Sequence, residues 1–209
     1  LIVAISEQEK EVMSAYLRAS KIITISNIHY PKVDIKNTKS FEQRKNMLFI
    51  GSAHTPNIDA LYFLNEKILP LVWEKQPDLK VDVIGNLNDK ISDINHPNII
   101  FHGYVPEIEP FFNAAKFMIA PLRYGAGVKG KIGQSFEYYL PLVTTNIGAE
   151  GMFLKHNENA LIANNAEDFA HEIINLYENK ELWLHLQSNS EESLKPFSRE
   201  ILKEKLLKI

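Results

Sequence analysis

The sequence contains no cysteine. Disulfides, thiolate nucleophiles and cysteine-based metal sites are therefore excluded, and the composition fits a reducing compartment. No apolar run approaches the roughly 20 residues that a membrane span needs. No signal peptide is visible, but the chain begins at Leu1 rather than Met, so that absence excludes little. Excess positive charge is also lacking: 23 Lys and Arg face 26 Asp and Glu, a formal net charge of −3, which gives no overall basic field for nucleic acid. The seven histidines show no His-x-x-x-His pairing, and no Asp-x-Asp is present, so no metal site is expected. There is no internal repeat and no low-complexity tract.

What is present is an ordinary globular composition, 45% hydrophobic and 23% charged over 209 residues. That length suits one large domain, or one domain with part of another. Residues 1–6 read as a buried strand. Ser6 and Glu9 form a capping-box pattern that starts a helix to about Arg18, and residues 21–26 read as a second strand. Residues 27–45 hold Pro31 and five basic residues with little periodicity, the pattern of a linker or hinge. Beyond it, strands are expected at 47–50, 79–84, 98–102, 116–120, 142–145 and 160–163. Helices are expected at about 59–75, 107–115, 131–139, 166–179, 181–194 and 198–208. Alternating strands and helices imply right-handed crossovers and a parallel sheet covered on both faces, an α/β Rossmann-like fold. Several strands run straight into Gly or Pro, and ligands of such sheets bind at those carboxyl ends.

The segment 121–152, PLRYGAGVKGKIGQSFEYYLPLVTTNIGAEGM, carries the most chemistry. It reads as a Gly-rich loop bearing Arg123, Lys129 and Lys131, a short helix, a buried strand and a second Gly-containing loop. Peptide N–H groups, a helix N-terminus and nearby cations suit a phosphate. A phosphorylated, nucleotide-linked ligand is the expected occupant. The pair Gly125 and Gly127 lacks the third glycine and the preceding early strand of a dinucleotide fingerprint.

The succession FIGS, a Pro-Asn helix start, VDVIG, FHGYV, KFMIAPL, GAGVKGKI and PLVTTNIGAEGM resembles the C-terminal, donor-binding domain of GT-B glycosyltransferases, in particular the glycosyl transferases group 1. The likeness covers about residues 44–209. Residues 1–26 resemble the last strand–helix–strand piece of the N-terminal domain in those proteins, and 27–45 the linker. Residues 46–196 then correspond to the donor-binding domain. Residues 197–209 correspond to the final helix, which crosses back towards the N-terminal domain. The resemblance implies a retaining, metal-independent hexosyltransferase using a nucleoside-diphosphate sugar of UDP or GDP type, with no separate cofactor. It implies an acceptor glycan or glycolipid bound through an N-terminal domain that is largely missing here, and hence a chain that binds donor without turnover. A cytoplasmic, membrane-peripheral protein of polysaccharide biosynthesis is the corresponding expectation. The basic last helix, with Arg199, Lys203, Lys205 and Lys208 against Glu200 and Glu204, could meet a membrane surface. A solvated face or one docked on the N-terminal domain is the alternative.

Lys131 occupies the place of the family's pyrophosphate lysine, where a cation beside a helix N-terminus stabilises charge on the leaving diphosphate. Gly51 lets the backbone approach a phosphate, or serves a tight turn. Many relatives carry Arg and Lys in the following loop; here it reads Ser52-Ala53-His54-Thr55-Pro56-Asn57 and has neither. Arg123, with a planar fork, is the expected substitute, helped by Lys129 or His54; a surface salt bridge is the other reading of Arg123. A family pair of glutamates, spaced by seven residues, is replaced by Ala126 and Gln134. Gln134 can still hold a ribose hydroxyl without charge assistance. Gly103, Tyr104 and Val105 fall where relatives cradle the base, with Tyr104 either stacking or packed on the surface. Gly127 lies in the first Gly-rich loop. Gly148, Ala149 and Glu150 fall near the phosphate or sugar, and Glu150 could instead cap a turn. The missing glutamates favour one alternative, a non-catalytic nucleotide-binding or interaction module; another GT-B enzyme, such as a sugar-nucleotide epimerase, is a second.

Overall fold

The computed structural model describes residues 1–17, 21–87, 91 and 93–207. Arg18 and Lys208, which the sequence reading put at helix ends, lie outside the described residues. The centre of the fold is a six-stranded, wholly parallel sheet. Its strands are β3 (Lys45–Ile50), β4 (Val81–Ile84), β5 (Ile99–Gly103), β6 (Ala115–Ala120), β7 (Leu142–Thr144) and β8 (Leu161–Ile162), in the order β5-β4-β3-β6-β7-β8. Strand order reverses between β3 and β6, so the loops after these two strands part and leave a crevice at their carboxyl ends. The α/β Rossmann-like expectation is therefore met.

Alternation along the strands sends neighbouring residues to opposite faces. Met47 and Phe49 of β3 join Val81, Phe117 and Ile119 on one side, with Leu61, Ile68, Ile173 and Trp183 from the covering helices. Leu48 and Met118 face the other side, with Phe112, Phe136, Leu140 and Phe197. Covering both faces explains why β6 has every residue buried. A fully buried Phe or Leu contributes roughly 1.5–3 kcal/mol.

The first face is covered by α2 (Thr55–Phe63), a π-helical turn (Leu64–Ile68), α3 (Leu69–Lys75), α7 (Ala166–Glu178) and α8 (Lys180–Ser188). α2 starts four residues before the expected position 59, because Pro56 fits the first turn, where its missing N–H costs nothing. The π-helical turn precedes Pro70, whose ring would crowd the carbonyl four residues back in a regular helix. On the other face lie α4 (Glu109–Ala114), α5 (Gly130–Glu137) and α9 (Ser190–Leu194). The single expected helix at 181–194 is divided at Asn189, whose side chain bonds the carbonyls of Glu158 and His185. A short α6 (Asn146–Ala149) follows β7, and α10 (Arg199–Leu207) closes the described chain.

A separate unit precedes this sheet. β1 (Ile2–Ala4) and β2 (Ile22–Thr24) pair in parallel and are joined by α1 (Glu7–Tyr16), capped by Ser6 and Glu9 as the sequence implies. α1 buries none of its residues, and Leu1, Val3, Val12 and Tyr16 are exposed.

Residues 27–45, expected as a linker or hinge, are packed onto the domain as a strap. Arg44 is buried and donates to the carbonyls of Lys39, Phe112 and Ala115, with burial pushing its pKa down to about 10. His29 is buried too. Its Nδ1 lies 3.1 Å from Glu137 Oε1 on α5, and its ring lies where a side chain at Gly133 would begin, 2.3 Å from that position. Lys32 N–H donates to the Glu137 carbonyl. The missing side chain of Gly133 is thus the space into which the strap's imidazole fits.

Gly133→Ala should therefore cost about 1–3 kcal/mol in chemical denaturation. Combined with His29→Ala, the loss should be smaller than the sum of the two singles by about 1 kcal/mol or more. Additive losses would remove the contact as the cause.

Candidate functional site

α5 begins at the reversal point of the sheet. Its N-cap is Lys129, which provides no side-chain cap, so the first N–H groups of the helix are free of side-chain acceptors. The Lys129 side chain is only 10% exposed. Its ammonium donates to the Gly127 carbonyl and stands 3.6 Å from Glu150 Oε2, so Glu150 reaches back across the site. Burial lowers the Lys129 pKa, and Glu150 opposes that shift. Gly127 has φ +74°, a left-handed turn suited to glycine, and its Cα face lies against Glu9 of α1.

Lys131 lies one residue into α5. Its Nζ donates to Asn57 Oδ1 at 2.6 Å and sits 5.5 Å from the centre of the Phe49 ring. The residue keeps some exposure, but no carboxylate among the described residues pairs with the ammonium. Burial, with a smaller contribution from Lys129, pushes its pKa down to about 8. Asn57 Nδ2 donates to the Ser52 carbonyl, and its Cβ packs 3.0 Å from where a side chain on Gly51 would begin. Lys131 is thereby tied to the Gly51-Ser52 loop across the crevice.

Arg123 is held differently. Its guanidinium grips both carboxylate oxygens of Asp59 on α2 while half exposed, and this pairing raises its pKa. Arg123 thus stands in an ion pair with Asp59 that engages two of its donors. Gly148 lies so close to Thr144 that a side chain would start 2.0 Å from its hydroxyl, and Thr145 caps the turn that holds Gly148 and Ala149. Gln134 follows Lys131 by one turn on the same face of α5 and makes no side-chain hydrogen bond among the described residues. Gly103 ends β5 with φ +67°, Tyr104 is 73% exposed, and Val105 packs on the core. Gly103 accepts a bond from Gly85 N–H, which links the β5 loop to the neighbouring β4 loop.

The structure thus brings together Lys131, Lys129, Gly127, Glu150, Gly51 and Ser52. It leaves Arg123 tied to Asp59, and Gly103, Tyr104 and Val105 at the end of the outermost strand. Sequence reasoning passed over Asn57 and Asp59, whose only signal was their place in a Pro-initiated helix. A distinct cavity of about 220 Å³ lies elsewhere, between Glu7 and Thr24 of the first unit and Phe153, Phe197 and Lys205 of the domain and α10. It touches the site only through Ala149. No group of three His, Asp or Glu able to hold a metal occurs among the described residues. No helix there is long and apolar enough to cross a membrane.

The sequence matches the family described as Glycosyl transferases group 1 over residues 44–179. The chain belongs to that family. An uncharacterized 44.6 kDa protein in the cps region of Klebsiella pneumoniae is 30% identical over 190 residues, which is 86% of this chain and 47% of that protein. Three solved structures share the fold. A point mutant of S. aureus TarM superposes with TM-score 0.81 at 24% identity, over 99% of this chain and 43% of that chain. A glycosyltransferase from Rickettsia africae ESF-5 gives 0.77 at 15%, over 99% and 61%. HepE from Anabaena gives 0.75 at 13%, over 100% and 62%. The fold is that of a GT-B glycosyltransferase domain, and the chain spans roughly half the length of the first of these relatives. Tyr139 adopts φ +52° just past the end of α5, and its hydroxyl reaches Glu191 Oε2 at 3.1 Å.

Lys131 also sets a pH signature. Its folded pKa of about 8 lies below the ordinary 10.5, so the protonated lysine opposes folding at and below pH 8. That penalty is relieved as pH rises from 8 towards 10.5. Lys131→Met should therefore be more stable than the parent at pH 7, by roughly 1–3 kcal/mol, with the gap closing by pH 10. A constant difference in urea midpoint across that range would contradict a charge origin.

Proposed function

We propose that this chain is the donor-binding part of a retaining glycosyltransferase that moves a hexose from a nucleoside-diphosphate sugar, of UDP or GDP type, to an acceptor hydroxyl. The observation that carries the proposal is the Lys131 ammonium, placed beside an uncapped helix start at the sheet's reversal point with no carboxylate partner. A diphosphate arriving there gains two charge-assisted contacts, from Lys131 and Lys129, and peptide N–H groups of α5. Those groups stabilise the negative charge that builds on the nucleoside diphosphate as the sugar departs. Gln134 orients the ribose, Tyr104 lies open for the base, and Gly51, Ser52, Gly148 and Ala149 border the phosphates. Family membership supports this reading. So do the complexes of neighbours, HepE with UDP and glucose and pneumococcal GtfA with UDP and GlcNAc.

The acceptor, a glycan or glycolipid of polysaccharide biosynthesis, binds in an N-terminal domain for which β1, α1 and β2 supply one part. A relative in a cps region agrees with that setting. A cytoplasmic protein that touches the membrane surface peripherally is the corresponding location. On its own this chain binds donor without turnover. Ala126 and Gln134, where two glutamates are expected, favour one second reading, a non-catalytic nucleotide-binding module.

Titration calorimetry with UDP and GDP tests the site. One of them should bind, Lys131→Met should weaken it at least tenfold, and affinity should fall about tenfold from pH 7.5 to 9.5 as Lys131 loses its proton. The variant should show no such fall. Silence with both nucleotides would refute donor binding. Sugar-nucleotide turnover by the whole natural protein separates the enzyme from the binding module.

A further inference from the structure

The first turns of α2 treat Arg123 of the β6–α5 loop and Lys131 of α5 in opposite ways. Asn57 offers Lys131 a neutral oxygen, and Asp59, two residues on, offers Arg123 a full negative charge. The orientation of the Asn57 amide is fixed by its partners. Its Nδ2 faces the Ser52 carbonyl, which can only accept, and its Oδ1 faces an ammonium, which can only donate. Its Cβ against Gly51 leaves little room for the side chain to swing away.

A carboxamide satisfies one of the three ammonium protons and cancels none of the charge. The other charged groups recorded near Lys131 do not cancel it either. Lys129 repels it, and Glu150 is 3.6 Å from Lys129. Phe49 presents its ring at 5.5 Å and carries no net charge. The Arg123 fork is closed by a bidentate carboxylate and is occupied before any ligand arrives.

We propose that Asn57 is a positioning residue that holds Lys131 in place while leaving its charge available to an anionic ligand, and that Asp59 withdraws Arg123 from that ligand. This rests on the donor-site reading and gives a part in its phosphate grip to Lys131 and none to Arg123. Asn57→Asp is isosteric, keeps the packing on Gly51, gives up the bond to the Ser52 carbonyl and supplies the missing counter-charge. Asp59→Asn is the mirror change at the other cation.

Two readouts test the proposal with the whole chain. The first is the NMR titration of the Lys131 side chain without ligand. Asn57→Asp should move its titration upward by at least one pH unit, and Asp59→Asn should not. The second is calorimetry with UDP and with inorganic pyrophosphate at pH 7. Asn57→Asp should lose at least tenfold in affinity for both, and Asp59→Asn should bind as well as the parent or better. An unchanged Lys131 titration in Asn57→Asp, or binding within twofold of the parent, would overturn the role given to Asn57. Equal weakening by Asp59→Asn would overturn the sorting of the cations. If the parent binds neither probe, the donor-site reading and this assignment of its phosphate grip both fail. A Lys131 titration that still moves in Asn57→Asp would then show that only the electrostatic part of the Asn57 contact is right.

Discussion

An ammonium group held in a partly enclosed place with only a carboxamide beside it is an unfavourable arrangement, and much of the surrounding structure serves to hold it there. Lys131 could relax by finding a carboxylate, but Asp59 is engaged by Arg123 and Glu150 stands by Lys129. The helix that carries it is fixed at its far end by Tyr139, whose left-handed backbone is held by burial and by Glu191. It is fixed along one side by the buried imidazole of His29 in the space left by Gly133. Stability given up at one residue is a common feature of binding sites, and here it can be assigned to a named charge.

The strap of residues 27–45 changes how the two units are joined. Arg44 fastens its end to the carbonyls of Phe112 and Ala115, and His29 fastens its beginning to α5. The strap thus meets α5 through His29 and Glu137, and α1 meets the loop before α5 through Glu9 and Gly127.

The sheet was legible in the sequence because its strands are short apolar runs, several of which stop at Gly or Pro, as at Ile84-Gly85 and Ala120-Pro121. The helix starts were less legible. Pro56 marked one clearly, but the position of the first turn depended on whether the proline lay inside it, and Asn189 divided a helix through contacts distant in sequence. In the site, Lys131 and Lys129 could be singled out from the Gly-rich loop. The state of Arg123 could not, because it depends on Asp59, which is 64 residues away along the chain and belongs to another helix. The role of Asn57 was hidden for the same reason. Pairing across a sheet's reversal point leaves no periodic trace in the chain.

The two-stranded parallel pair formed by β1 and β2 has a practical consequence. Parallel strands normally lie inside a sheet with both faces covered. Here Leu1 and Val3 lie open beside an α1 that buries nothing. Unpaired strand edges of this kind template the addition of further strands. A charged residue at Val3 would oppose strand addition at this edge.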